Sequence, residues 1–326
     1  MVAKNVLLCT SLLVFNTFIY ADVNPFIDLS YYNVLRGEEQ NNPFYISLAI
    51  ADLSFKSSTN PYMKSEVLIH GELQNDAQQL ELKKAYSKIK LPTGRLTLGK
   101  TRTTWGIGQY YNAGDVIFGN DEADLTQEEL KKQTRWLNSY YLPLGSFSFI
   151  EALIIAPEET TDSIDKTRAG GRLQMGFSFI TFETAYMYDG NDSNVTFNFQ
   201  SAIKNLEVYG ASHWTYTSNN NSAISIGLQS QWSLWEIHAL SLRSECILFP
   251  ENFDLSRFYG DILYSNGGLN IYWRNVYIYK KSDIKSILGG SWNIFQNVYL
   301  LEYNQCQFVG NEIGSWSVSV GVKVIY

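Results

Sequence analysis

Histidine and cysteine are scarce in this chain, charge is sparse, and long uninterrupted apolar runs are missing. Three Cys among 326 residues are too few for a secreted scaffold stapled by disulfides. One of them, Cys9, lies in the first apolar stretch, which leaves Cys246 and Cys306 as isolated small residues. Charged residues make up 17% of the chain and carry a net charge of −7. An acidic balance of this kind argues against nucleic acid as a partner, because binding it needs a basic surface. Mean hydropathy is −0.15, which excludes a bundle of membrane helices. No Gly-rich phosphate loop and no Cys cluster is present, so no cofactor is implied.

The three His give no catalytic or metal site. Ser212 and His213 are neighbours in an extended stretch, so they point to opposite faces and form no dyad. Glu66, His70 and Glu72 share a face, but at about 3.4 Å per residue they span roughly 20 Å, too far for one ion. His238 stands alone.

The N-terminus reads as an export signal. Lys4 precedes "VLLCTSLLVFNTFIYA", an apolar stretch broken by Thr10, Ser11, Asn16 and Thr17 and ending at the small residue Ala21. A spanning helix would need about 20 apolar residues without such breaks. The expected organisation is residues 1–21 as signal and 22–326 as one domain. Loss of Lys4 makes the remainder one unit more negative.

What the chain has in abundance is alternation. In "GSWSVSVGVKVIY", Trp316, Val318, Val320, Val322, Val324 and Tyr326 alternate with Ser315, Ser317, Ser319, Gly321 and Lys323. A period of two is a strand with one apolar face. The pattern recurs in "SAISIGLQSQW", "GLNIYWRNVYIY", "SRFYGDILY", "RAGGRLQM" and "KSEVLIHGEL". Short connections (91–94, 142–145, 203–205, 232–234, 265–268) alternate with longer polar ones (36–42, 74–79, 157–166, 189–194, 217–222, 249–254). Short turns at one end and long loops at the other are the pattern of a transmembrane antiparallel β-barrel. The count is about 18 strands, with 16 as the alternative, because the first two segments and "IKSILGGSWNIF" alternate poorly. Aromatics are 15% of the chain and recur at strand ends, where amphipathic rings suit a membrane interface. The expected fold class is therefore all-β, an outer-membrane barrel facing lipid, with short periplasmic turns and long outer loops. Asp121–Leu137 is the one stretch that reads as a helix, with Thr126 as its cap and Glu129 three residues on.

One stretch carries a motif. "AYSKIKLPTGRLTLGKTRTTWGIGQYYNAGDVIFGN" resembles a strand–turn–strand unit of porin-like bacterial outer-membrane barrels. The matching residues are Ala85, Tyr86, Leu96, Leu98, Gly99, Arg102, Trp105, Gly106, Gly108, Asn112 and Asp115. The resemblance covers Ala85–Asn120 and the following hairpin, Thr134–Ile155; the rest of the chain matches in pattern only. It implies a channel for small hydrophilic solutes, in which the long segment 105–133 folds into the lumen as a constriction; the alternative is a loop lying over the outer mouth. The terminal aromatic Tyr326 resembles the signal read by the barrel-assembly machinery, at a position where Phe is commoner. A homo-oligomer is compatible with the pattern.

A water-filled pore needs polar side chains along its wall. The polar phases carry Lys84, Lys88, Arg95, Arg168, Arg172, Arg257 and Arg274, against Glu66, Glu72, Glu183, Asp261 and Glu302. Arg95, Arg168 and Arg172 are the candidates for a basic ladder; with Arg274, Asp115 and Glu66 they are the pore-lining candidates. The alternative is that these charges pair and only keep the interior wet. The rival function is a non-conducting display barrel with a plugged lumen, which Tyr86 and Tyr272 on the polar phase would favour.

Overall fold

The computed structural model describes residues 23–38, 41–57, 60–75, 77–118, 133–157, 166–216, 221–235, 237–280, 282–310 and 312–326. The expected signal (1–21) and residues 119–132 lie outside them.

Eighteen strands follow one another: β1 (Val23–Glu38), β2 (Asn41–Ser57), β3 (Met63–Gln74), β4 (Ala77–Lys90), β5 (Arg95–Thr101), β6 (Arg135–Pro143), β7 (Phe149–Ile155), β8 (Arg168–Gly176), β9 (Ile180–Tyr188), β10 (Ser193–Ile203), β11 (Leu206–Tyr216), β12 (Asn221–Leu234), β13 (His238–Leu248), β14 (Arg257–Asn266), β15 (Leu269–Ile278), β16 (Asp283–Phe295), β17 (Val298–Val309) and β18 (Glu312–Ile325). Each pairs antiparallel with the next, and all belong to one sheet. The ring closes where β1 pairs with β18, from Asp28↔Ile325 to Glu38↔Ser315. At the seam the Tyr326 amide donates to the Ile27 carbonyl at 2.8 Å and the Ile27 amide to the Tyr326 carbonyl at 2.9 Å. Closure leaves no sheet edge, which a strand in hydrocarbon requires.

The alternation is inside out relative to a soluble core. In β18, Val318, Val320 and Val322 are 40%, 48% and 42% exposed, while Ser319 between them is fully buried. In β12, Ile224, Ile226 and Leu228 face outward and Ser225 inward. The apolar phase is the outside of the barrel, and small or polar residues fill the inside.

The strand count settles at 18 rather than 16, because β1, β2 and β16 all pair along their length. Alternation was weak there, but two paired neighbours supply ladder hydrogen bonds whatever the side-chain pattern. Strand pairing shortens two expected long loops. β1 and β2 leave only residues 39–40 between them, and β3 and β4 only 75–76. At the second, Asn75 takes the left-handed conformation (φ 48°) and accepts the Ser47 amide at 3.2 Å. Asn tolerates that conformation better than most residues. The expected helix 121–137 is contradicted at its end, where Arg135, Trp136 and Leu137 pair with β5 as the start of β6. Its first twelve positions lie outside the described residues.

The longest connection, 102–134, leaves the loop end of β5, and its first part runs inside the barrel. Two apolar clusters sit there. Trp105, Val116, Ile117 and Phe118 pack with Leu137, Leu153, Ile155, Ala185 and Met187. Tyr110, Tyr111 and Ala113 pack with Ala211, Ala223, Ile247, Tyr259, Val276 and Ile287. The wall thus turns from polar to apolar where the segment rests.

The interior has little slack on the seam. A Cβ on Gly321 would collide with the Tyr32 ring and lie 2.8 Å from the Tyr31 carbonyl. Gly321→Val is therefore expected to destabilise the folded barrel by about 1–3 kcal/mol, read as a lower urea midpoint in lipid vesicles.

Candidate functional site

The site grows from the end of β5. Gly106 (φ 73°) and Gly108 (φ 135°) turn the chain inward, and a side chain at Gly108 would collide with the Tyr111 carbonyl. Glycine reaches these conformations without a steric penalty. The turn exposes backbone amides to the barrel interior, and these need acceptors.

Three wall carboxylates supply them. Glu183 on β9 accepts the Gly106 amide at 2.8 Å and the Asn198 side-chain amide at 2.9 Å. Glu151 on β7 accepts the Trp105 indole N–H at 3.3 Å. Glu245 on β13 takes three successive amides: Gln109 at 2.9 Å, Tyr110 at 2.7 Å and Tyr111 at 2.6 Å. The Tyr209 hydroxyl donates to the same carboxylate at 2.5 Å. Each of the three Glu is at most 4% exposed. Buried carboxylates need partners, and here backbone dipoles and one arginine provide them. Arg172 on β8 donates to Glu151 at 2.8 Å, to Glu183 at 2.9 Å and to the Thr104 carbonyl at 3.2 Å.

The rest of the segment is held the same way. The Ala113 amide donates to Ser225 at 3.0 Å. The Asn112 side chain bridges the Trp105 carbonyl (2.9 Å) and the Gly114 amide (3.1 Å). Asp115 accepts the Ile117 and Phe118 amides, both at 3.3 Å, and lies 3.8 Å from Arg102. Arg168 donates to the Ile117 carbonyl at 2.9 Å and to the Val116 carbonyl. The guanidinium groups of Arg102 and Arg135 lie over the Phe118 ring. Tyr110 stacks on Tyr259 at 4.3 Å.

These contacts reassign the sequence candidates. Arg102, Trp105, Gly106, Gly108, Asn112 and Asp115 belong to one packed segment. Arg168 and Arg172, two members of the expected basic ladder, are committed to holding it. Arg274 lies 4.1 Å above the Tyr272 ring and opposite Asp261. Glu66 accepts the Tyr86 hydroxyl at 2.8 Å and pairs with Lys84 at 3.6 Å. Glu302, expected in the lumen, faces outward, because its register partner is Val320. In the Glu66–His70–Glu72 row, His70 pairs with Asp52 at 2.6 Å and lies 3.7 Å from Glu72.

Four other cations stand together elsewhere. On the inward phase near the turn end, Lys64 faces Lys88 across β3 and β4, and Lys90 faces Arg95 across β4 and β5. Lys88 lies over the Tyr86 ring and Arg95 over the Tyr141 ring. Among the described residues none of the four has an ion pair. Like charges set directly opposite are unfavourable, so this group creates a positive field at the turn end of the lumen.

At the loop end, residues 113–118 floor a cavity of about 970 Å³, walled in part by Lys166, Asp189, His213, Phe249 and Glu251. Hydrogen bonds from the Ser222 hydroxyl and amide hold the Glu251 carboxyl below its ordinary pKa.

Glu151, Glu245, Ser225 and Asn198 were not legible as site residues. One signal was available: "FIEALII" is apolar on both phases except for Glu151. A strand that faces lipid on one side and is apolar on the other must have something packed inside it.

A closed 18-stranded antiparallel barrel is the fold of outer-membrane porins. No protein-family model matches the chain, and no curated protein does. Among solved structures, Acinetobacter baumannii OccAB4 aligns with 94% of this chain and 98% of its own at 11% identity and a TM-score of 0.62. Pseudomonas aeruginosa OccK11 aligns with 93% of this chain and 96% of its own at 11% identity and a TM-score of 0.63. Pseudomonas aeruginosa OccK2, solved in complex with glucuronate, aligns over the same shares at 9% identity and a TM-score of 0.63. At such identities the likeness is one of fold.

The Glu245 cradle gives a direct test. Glu245→Ala strips an acceptor from the two buried amides of Tyr110 and Tyr111, each worth roughly 1–3 kcal/mol when left unpaired, and from the part-buried amide of Gln109. The expected result is a barrel that still folds but is cut by protease within 105–118, while wild-type protein resists. Glu245→Gln, which keeps one carbonyl acceptor, is expected to fall between them.

Proposed function

We propose that this chain is an outer-membrane channel for passive diffusion of small hydrophilic solutes, narrowed by residues 105–118 and selective for anions. The observation that carries the reading is the group Lys64, Lys88, Lys90 and Arg95, which lines the turn end of the lumen without ion pairs among the described residues. The porin fold supports it. So does the state of other lumen charges: Arg168 and Arg172 are bound to the segment and its carboxylates, while Lys64, Lys88, Lys90 and Arg95 on β3–β5, like Lys285 on β16, have no ion pair among the described residues. Charged walls with low-dielectric backing focus their field on the solute path. OccK2 was solved with glucuronate, a small hydroxylated carboxylate; a solute of that class suits a basic lumen.

Three expectations from the sequence belong to the same reading. Residues 1–21 act as the export signal. Tyr326 presents the chain to the barrel-assembly machinery. The loop end faces outward and the turn end faces the periplasm.

The test is the reversal potential of the folded protein in a planar bilayer under a tenfold salt gradient. An anion-selective sign is expected, moving toward zero in Lys88→Ala with Arg95→Ala. A cation-selective sign, or one that ignores both substitutions, contradicts the proposed selectivity. Absence of conductance from folded barrels favours the display-barrel alternative.

A further inference from the structure

The cavity at the loop end has walls that the channel reading leaves unused. Its floor is the run 113–118, and its volume of about 970 Å³ is that of a large ligand cleft. Charge does not set its character. Arg135, Lys166 and Arg168 border it, against Asp115, Asp189, Asp192 and Glu251. Several of these groups are already engaged. Arg168 holds the Val116 and Ile117 carbonyls, Arg135 lies over the Phe118 ring, and Asp115 takes the Ile117 and Phe118 amides. An ion of either sign meets both attraction and repulsion there.

Neutral hydrogen-bonding capacity is what remains. Asn194 on β10 is 7% exposed and borders the cavity. It stands opposite Thr215 and one diagonal place from His213 on β11. Its side-chain carbonyl accepts the His213 ring N–H and the Thr215 hydroxyl, each at 2.9 Å. Both lone pairs are thereby used, while its amide hydrogens have no partner among the described residues. A carboxamide carries two donors beside its acceptor, and leaving them unpaired in a buried place costs free energy. The same contact assigns the neutral His213 ring its tautomer. With the hydrogen on Nε2, Nδ1 is an acceptor, and it too has no partner among the described residues. A spare donor and a spare acceptor thus stand side by side on the wall.

The surrounding groups are held in place. In the β9–β10 connection Asp189 accepts the Asn191 and Asp192 amides at 3.3 and 2.8 Å, and the Tyr188 hydroxyl donates to the Gly190 carbonyl at 2.6 Å. The Asp192 carboxylate itself has no hydrogen bond or ion pair among the described residues. Across the cavity the Ser222 hydroxyl and amide fix Glu251 at 2.6 and 3.1 Å, and Phe249 supplies an aromatic ring. Groups fixed beforehand lose less freedom on binding.

Spare amide donors, ring and carboxylate acceptors and one aromatic ring complement a ligand ring that carries several hydroxyls. Each hydroxyl both gives and takes a hydrogen bond. The C–H face of such a ring is apolar and rests on aromatic carbon. Buried hydroxyls need these partners, whereas a buried ion needs a free opposite charge. We propose that the loop-end cavity binds a sugar ring by its hydroxyls, through Asn194, His213 and Asp192, whether or not the ring carries a carboxylate. The inference rests on the channel reading at one point, that a solute enters at the loop end. The solute is then read twice, by its hydroxyls at the loop end and by its charge at the turn end.

The experiment is a saturation-transfer NMR titration of the folded protein in detergent with glucose, maltose, glucuronate and acetate. It reads binding without current, so its outcome is separate from whether the barrel conducts. Glucose and maltose are expected to bind, glucuronate to bind within about threefold of glucose, and acetate not to bind. Asn194→Asp keeps the acceptor for His213 and Thr215 but removes the donors, and is expected to weaken glucose binding about tenfold. Asp192→Ala, in the connection, is expected to weaken it in the same direction. Heat-modified gel mobility establishes that each variant is folded, and one folded variant suffices. Failure of both neutral sugars to bind overturns the proposal. So does binding of glucuronate and acetate without glucose, or sugar binding that neither substitution weakens.

Discussion

Closure of the sheet is the constraint on which everything else rests. Hydrocarbon offers no partner to an amide or carbonyl, so each strand needs two neighbours, and the pairing of β18 with β1 gives the last strand its second one. Once the ring is closed, the period of two divides every strand between lipid and lumen. Valines and leucines go out, and serines, glycines and charged residues go in, which reverses a soluble core. The even strand count puts the start of β1 and the end of β18 at the turn end, and the long connections lie at the other.

The lumen then poses its own problem. A connection that folds inward carries backbone amides away from bulk water. In this barrel they are met by Glu151, Glu183 and Glu245, three acids spaced round the wall at β7, β9 and β13. Arg172 joins two of them and also holds the segment's backbone. Charge that would otherwise repel an anion or trap a cation is consumed in positioning. The cations of β3–β5 take no part in that positioning.

Much of the fold was legible in the sequence, because the barrel is made of local alternation. The last strand, the sorting of turn and loop lengths and the aromatic ends all pointed to a membrane barrel, and 18 was the right strand count. Turn geometry was less visible. Sequence around Glu38 and Asn75 reads as polar loop, yet hairpin pairing extends the strands almost to the tip. The stretch 121–137 reads as a helix from its amphipathic pattern and the Thr126–Glu129 cap, and its last residues are captured by β5. The lumen was the least legible part. Which arginine is free and which is bound depends on contacts between residues more than fifty positions apart, such as Arg168 with Ile117. Glu302 reads as part of a polar, lumen-facing phase; the register of β17 turns it outward. That something packs inside was implied by the porin-like resemblance of 85–120, and the two-sided apolarity of β7 was a second signal.

The most direct test is single-channel recording of the folded wild-type protein beside a variant lacking residues 109–113. The account expects stable open steps from the wild type and larger steps from the variant, because the deleted residues are those that Glu245 and Ser225 hold across the lumen. Steps of equal size, or silence from barrels that gel mobility shows to be folded, would contradict it.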